Sequence, residues 1–392
     1  DALPICAPVV PVRIDARNSA LFYGASLLFR PAGTALLARE MFARRSQPLR
    51  LAFGAATDAC EPADRRGAAD AVRRQLERLD TRAPGDTVQA GPAPLAAPAD
   101  PAQVGADIEA LELLGRTLDG KQIRVGRPGI DSPLMQEIGR LRELTFRAVG
   151  EGTGQARDID RFDADYDQIV LWDADAACIA GGYRVAHCAR LIGEQGLAGL
   201  YTASLFRYAP GMLPRLASGL ELGRSFVVPD YWGSRSLDYL WQGVGAYVAR
   251  RPWVRYLYGP VSISATLPSA AREQVVAFYA AWHGGRDEVS ARRPFKPTVD
   301  ATPDASAGDA DTAFRGLRDR LALLGAQVPM LYKQYTDLCE PGGARFLAFG
   351  TDPDFSDVID GLVEVDLTRL RPRKRDRYLG QPAQQPACEL AA

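Results

Sequence analysis

From residue 122 onward the apolar positions switch between the two-residue period of strands and the three-to-four spacing of half-buried helices. A strand over 122–125 precedes a helix whose start is marked by Ser132 as cap and Pro133 at the first helical position. Its Leu134, Ile138, Leu141 and Leu144 fall on one face. Two strands over 168–172 and 178–185 are joined by a polar turn beginning at Asp173. A strand over 219–228 runs into a helix over 236–250, and a strand over 255–262 into a helix over 269–282. A helix over 313–324 and strands over 346–349 and 361–365 complete the pattern. The order predicts an α/β domain, a mixed central sheet flanked by helices, with hairpins in place of a regular β-α-β alternation.

Upstream the pattern thins. Val9, Val10 and Val12 form a strand-like run broken by a proline, an amphipathic stretch over 19–41 predicts a helix, and 49–53 predicts a second strand. Two short strands and one helix bury too little apolar surface to fold alone. Proline, alanine and glycine dominate 81–102 without a period, which reads as a linker, and a helical pattern over 106–118 follows. Residues 286–312 are polar and aperiodic and predict a mobile insertion. The expected organisation is the end of one domain at 1–60, a linker with a short helix at 61–118, a main domain at 119–380 and a tail at 381–392. The chain opens at Asp1, with neither methionine nor a charged-then-apolar leader, and reads as part of a longer protein.

Composition narrows the function. The 392 residues carry 47 basic and 48 acidic side chains, so nothing global favours nucleic acid. Six cysteines never approach a C-x-x-C spacing, which disfavours a zinc site or a disulfide framework and suits a reducing compartment. No window holds the roughly 18 to 20 uncharged apolar residues of a spanning helix. The expectation is a cytoplasmic protein, with peripheral association on the inner face of the membrane as the further possibility. The run Arg369 to Arg377 has six basic residues in nine and reads equally as a solvated tail or a contact with anionic lipid.

Five blocks carry chemistry: Leu141-Arg-Glu-Leu-Thr-Phe-Arg147, Val149-Gly-Glu-Gly-Thr-Gly154, Asp158-Ile-Asp-Arg-Phe-Asp163, Glu221-Leu-Gly-Arg-Ser-Phe-Val227 and Arg255-Tyr-Leu-Tyr-Gly-Pro-Val-Ser-Ile-Ser264. In this order they resemble the GNAT acyltransferase fold, and within it the ornithine N-acyltransferase family. Three of them are also similar to acyl-homoserine-lactone synthases. The segment from Pro8 to Ser19 resembles the C-terminal part of a lysophosphatidic-acid-type O-acyltransferase, whose His-x4-Asp motif is missing: the only histidines are His187 and His283. The resemblances imply transfer of a fatty, 3-hydroxy acyl group from acyl carrier protein to the α-amino group of an amino acid, ornithine first, in aminolipid synthesis, with no resident cofactor and no metal. A signal synthase and a non-catalytic carrier-binding or membrane-associated protein are the alternatives.

Amine attack on a thioester needs loss of an ammonium proton, a place for the oxyanion and an exit for the thiol. Glu221 stands between Leu220 and Leu222 in an apolar strand, where a carboxylate needs a reason to be: catalysis, or an ion pair with Arg224. Residues three apart face opposite sides of a regular strand, so the two act together only if a bulge near Gly223 re-aims one. Arg142 and Phe146 share a helix face that meets either the carrier's pantetheine arm, the acceptor's carboxylate or the core. Asp160 and Asp163 frame a turn and serve either that turn or the acceptor's amine. At the joint after the Glu221 strand, Gly233, Ser234, Arg235 and Ser236 stand where coenzyme A users of the resembled fold cradle a pyrophosphate with a Gly-rich loop. Arg235 and Leu237 occupy the expected glycine positions, which argues for a carrier-protein donor. Arg235, Arg250, Arg251 and Arg255 are candidates to meet the carrier's acidic surface.

Overall fold

The structure, a computed structural model, describes residues 8–10, 12–15, 50–53, 57–58, 92–285, 288–297 and 308–380. The chain divides into two compact units, Asp1–Ala90 and Gly91–Ala392. In the first, β1 (Pro8–Val9) pairs antiparallel with β4 (Thr57–Asp58), and β2 (Val12–Asp15) with β3 (Arg50–Phe53). The helix expected over 19–41 lies outside the described residues, as do residues 11 and 16–19 of the segment compared with O-acyltransferases and the tail at 381–392.

The second unit is built on an eight-stranded sheet in the order β13-β14-β11-β10-β8-β7-β6-β5. Its strands are β5 (Glu112–Arg116), β6 (Gln122–Gly126), β7 (Asp167–Asp173), β8 (Cys178–His187), β10 (Gly219–Val227), β11 (Tyr256–Ile263), β13 (Ala344–Asp352) and β14 (Val358–Asp366); β9 (Phe206–Tyr208) and β12 (Val289–Ala291) form a separate pair. Neighbours run antiparallel except β10 and β11. Among the described residues, eight helices of eight residues or more flank the sheet: α1 (Pro101–Glu109), α2 (Pro133–Ala148), α3 (Cys188–Gln195), α4 (Ser236–Ala249), α5 (Ser269–His283), α6 (Ala310–Leu323), α7 (Met330–Leu338) and α8 (Pro372–Leu379). Alternate residues of one strand feed opposite layers. Ile169, Leu171, Leu220 and Leu222 join the core with α4–α7, while Val170, Trp172 and Phe226 join that with α1 and α2. With both faces covered, the strands read as nearly continuous apolar runs. This is the GNAT-like mixed sheet that the element order predicts.

Ser132 caps α2 as expected, accepting the Met135 N–H at 3.2 Å. Four expectations need correction. The helix expected over 106–118 is α1 plus β5: Asp100 and Pro101 start the helix early, and Leu113 and Leu114 then zip along β6 and bury Leu114. Residues 92–100 do not behave as a linker, because Ala93 and Ala96 donate to the carbonyls of Gly154 and Ala156 and Ala99 to Glu137. The insertion expected over 286–312 contributes β12, and Phe295 N–H bonds Phe349 O at 3.1 Å; residues 298–307 lie outside the described set. The basic run is likewise no free tail. It holds α8, where Arg377 bonds Asp238 on α4, Tyr378 packs beside Trp241, and Arg369, Arg371 and Arg375 donate to backbone carbonyls. Among the described residues no helix is long and apolar enough to cross a membrane.

The parallel pair makes a fork. β10 and β11 are in register only at Gly219–Tyr256, Leu220–Leu257 and Glu221–Tyr258. Beyond that apex β11 carries Pro260, which has no N–H to donate. On β10 the register with β8 shifts between Gly223 and Phe226, and Arg224 adopts φ 50°, a left-handed conformation costly for a residue that carries a Cβ. The two strands therefore part, and a cleft of about 70 Å³ opens between them.

Candidate active site

The cleft passes between the two layers of the sheet. Phe146, Tyr201 and Phe355 line one side and Tyr183, Leu331 and Tyr335 the other, with Arg224, Ser225, Ser262, Glu151 and Asp360 between. Its polar wall rests on a buried network. Arg142, fully buried on α2, donates to Asp163 at 2.8 Å and to Gln168 at 2.6 Å. Arg184 on β8 reaches Asp160 at 2.6 Å and Asp163 at 3.3 Å. Arg224 Nε lies 2.9 Å from Asp158, and its Nη1 donates to the Tyr201 hydroxyl at 3.1 Å. Three aspartates thus balance three arginines, which is the condition for holding such charges out of water.

The bulge does re-aim Arg224. Its guanidinium ends among Asp158, Asp160 and Tyr201, on the side of the sheet where Arg184 and Glu221 also point. The ion pair considered for Glu221 and Arg224 is absent: Glu221 Oε1 accepts the Thr202 N–H at 2.7 Å and Oε2 has no partner. Glu221 stands at the fork's apex, 1 % exposed, against the Tyr201–Thr202 peptide and Tyr166. Burial lifts its carboxyl to about 7, against the Thr202 N–H and the Arg184 charge.

Other expected residues divide. Phe146 lines the cleft, edge-on to Phe355 with ring centres 5.1 Å apart. Arg142 and Asp163 are both sealed inside the network, where their charges satisfy each other at 2.8 Å. Asp160 keeps partial exposure while capping the turn that follows it and pairing with Arg184 and Arg224. At the helix joint, Gly233 takes φ 74°, and Ser234 Oγ accepts the Ser236 N–H at 3.2 Å and donates to Tyr231 O at 2.6 Å. Arg235 lies 3.6 Å from Asp238 and over the Tyr239 ring. Arg250 pairs with Glu112, Arg255 with Asp366 and Arg251 stacks on Tyr247, so each has an internal partner.

Sequence reasoning missed Arg184, Glu151, Tyr201 and Asp360 as site residues. Arg184 carries the same signal as Glu221, a charge inside an apolar strand. Glu151 sits within one of the five blocks, held in the cleft by a turn whose Gly150 and Gly152 take φ 76° and 115°, where a side chain is strained. Burial, against the Ser262 hydroxyl, raises Glu151 to about 7. Asp360 is raised to about 8 by burial and then by the charges of Asp352 and Glu151, with Arg224 opposing. Its position one residue before the expected strand hid it, and Tyr201 left no pattern to find. Among the described residues no group of His, Cys, Asp or Glu is arranged to hold a metal ion.

Comparison with known proteins meets this geometry from the other side. Residues 141–242 match the acetyltransferase (GNAT) domain, a span running from α2 through the fork to α4. A glycine N(alpha)-acyltransferase of Phocaeicola vulgatus is 31 % identical over 271 residues, covering 64 % of this chain and 81 % of that protein. An L-ornithine N(alpha)-acyltransferase of Rhizobium meliloti is 31 % identical over 210 residues, 50 % of this chain and 67 % of that one. A solved CoA-dependent acyl-homoserine lactone synthase is similar at 12 % identity and a TM-score of 0.34, over 68 % of this chain and 94 % of that chain. Identity of 31 % carried across 81 % of a relative's length decides the assignment: the chain belongs to the N(alpha)-acyltransferase family and is an acyltransferase of the GNAT type.

Proposed function

We propose that this acyltransferase moves a fatty, 3-hydroxy acyl group from the thioester of an acyl carrier protein to the α-amino group of an amino acid, ornithine first, as a step of aminolipid synthesis in the cytoplasm. The observation that carries the reading is the fork: a cleft between β10 and β11 lined by Glu151 and Asp360, with the near-neutral carboxyl of Glu221 buried at the last paired position beside it. The acyl thioester lies between β10 and β11, and the acceptor approaches the apex. An amino group arrives largely protonated near neutrality, so a base of matched affinity is required. Glu221, with one oxygen unpartnered, takes that proton, and Arg224 holds the Tyr201 hydroxyl beside the reacting carbon. Nitrogen attacks the thioester carbon, the C–N bond forms, the adduct loses a second nitrogen proton to the same base once the first has passed to water, the C–S bond breaks, and amide and free thiol leave. Relatives named for glycine and for L-ornithine support the acceptor class, and the five sequence blocks favour ornithine.

The donor reading rests on the joint after β10. Binding a pyrophosphate at a helix start needs free backbone N–H groups. Here Ser234 already occupies the Ser236 N–H, and the bulk of Arg235 and Leu237 replaces glycine. A carrier protein presents one phosphate and needs less. Matched acyl-carrier-protein and acyl-coenzyme A donors should therefore differ by at least about tenfold in kcat/KM, about 1.4 kcal/mol, in favour of the carrier. Equal efficiency refutes this donor. A panel of ornithine, lysine, glycine and glutamine, read by product mass, tests the acceptor.

A further inference from the structure

We propose that Asp360, the register partner of Ser262, and Glu151, which accepts from the Ser262 hydroxyl, form a second acid–base pair at the fork whose task is to protonate the departing thiol. The inference rests on the thioester reading above and assigns the half of the reaction that Glu221 leaves open.

The geometry is set by three elements. Ser262 on β11 and Asp360 on β14 are direct register partners. Opposed residues of an antiparallel pair have Cβ atoms about 4.5–5.5 Å apart on one face of the sheet. Glu151 comes from the turn after α2, and the Ser262 hydroxyl lies 2.9 and 3.0 Å from its two carboxylate oxygens. All three line the cleft, on the β11 side of the fork across from Arg224. Asp360 is 6 % exposed. The charged and titratable groups that bear on it are Glu151, Asp352 on β13, Arg224 on β10, Tyr201 and Tyr332.

Chemistry distinguishes this pair from its neighbours. A thiol of ordinary affinity titrates near 8.5, so a departing thiolate is best met by an acid of similar strength. Asp360, raised to about 8 by burial and then by the charges of Asp352 and Glu151, is protonated at neutral pH. The competing donor, the Tyr201 hydroxyl, already accepts from Arg224 and is pushed further above its ordinary value by burial. As the tetrahedral adduct collapses, the C–S electron pair goes to sulfur, and sulfur takes the Asp360 proton. Nitrogen gives up two protons through Glu221 to water, the ammonium proton before attack and a second from the adduct, and water reprotonates Asp360 through Glu151, so in net one of the two reaches sulfur and the other is released to solvent.

Leaving-group rescue in the full chain tests the assignment. Asp360→Asn should lower kcat about a hundredfold with an acyl-carrier donor. With an acyl thioester of a strongly acidic aryl thiol, which departs without a proton, the variant should stay within a few-fold of the parent. The parent's loss of kcat as pH rises through about 8 should disappear in the variant. Glu151→Gln should show the same rescue to a smaller degree, so a folding defect in one variant leaves the other to decide. Equal losses with both donors overturn the acid assignment while leaving the function standing. If the parent moves no acyl group to any amino acid from either donor, the functional reading fails and this proposal with it.

Discussion

Glu221→Gln should lower turnover about 10²–10⁴-fold, the usual effect of removing one acid–base group, and should at the same time make the folded chain more stable above pH 7. Glutamine keeps an oxygen that can accept the Thr202 N–H, so the hydrogen bond at the fork's apex survives. What it loses is the titrating proton. In the parent, the Glu221 carboxyl is raised from 4.5 to about 7, so the folded state binds this proton more tightly than the unfolded chain. The stabilisation from the protonated carboxyl is therefore present in full below about pH 4 and is lost as the pH rises through 7. A shift of that size corresponds to about 3 kcal/mol, an order-of-magnitude figure, and glutamine escapes the loss. Chemical denaturation at pH 5 and pH 8 should show the gap between variant and parent opening in the variant's favour at the higher pH. A role confined to fastening Thr202 makes the opposite forecast, with activity within a few-fold and no such pH-dependent gain. Loss of function with gain of stability is the mark of a group kept for chemistry.

How much of this was legible in the sequence depends on the range of the forces involved. The helix at Ser132 and Pro133 announces itself because capping is local, decided by groups three residues apart. The fork was half legible. Periodicity alone implied that Glu221 and Arg224 cannot share a face without a bulge, and the register shift with φ 50° at Arg224 supplies it. Their partners were not legible: Arg224 reaches Asp158 across 66 positions, and the sequence offered the nearer Glu221 instead. The same reason hides Asp360, which meets Ser262 only because β14 lies beside β11. In the sequence β5 reads as helix because Leu111, Leu113 and Leu114 suit either period, and the edge of β6 decides between them. The basic run from Arg369 to Arg377 shows what composition cannot say, since most of those charges are fixed by carbonyls and by Asp238.

The largest effect on stability is expected from Asp163→Ala. Asp163 is fully buried, yet its carboxyl is held well below the ordinary range. Burial alone would raise it, and the charges of Arg142 and Arg184, with the Asp160 N–H, overcome that. Removing it leaves Arg142 and Arg184 with less countercharge in a space closed to water, because Gln168 offers Arg142 only a dipole. Breaking one partner out of a buried pair typically costs about 3–5 kcal/mol, a large share of a stability of about 5–15 kcal/mol. The unfolding midpoint of the variant should drop accordingly at neutral pH. The sign with pH follows from the depressed carboxyl: its contribution is present above the unfolded value of about 3.9 and is lost as the pH falls toward the folded one. The difference between parent and variant should therefore narrow on acidification and be widest above pH 5. Should the variant unfold like the parent at pH 7, Asp163 is not the keystone of the network, and the burial of three arginines must be sustained by Asp158 and Asp160. In that event Asp158→Ala, which removes the carboxylate 2.9 Å from Arg224, should produce the loss instead.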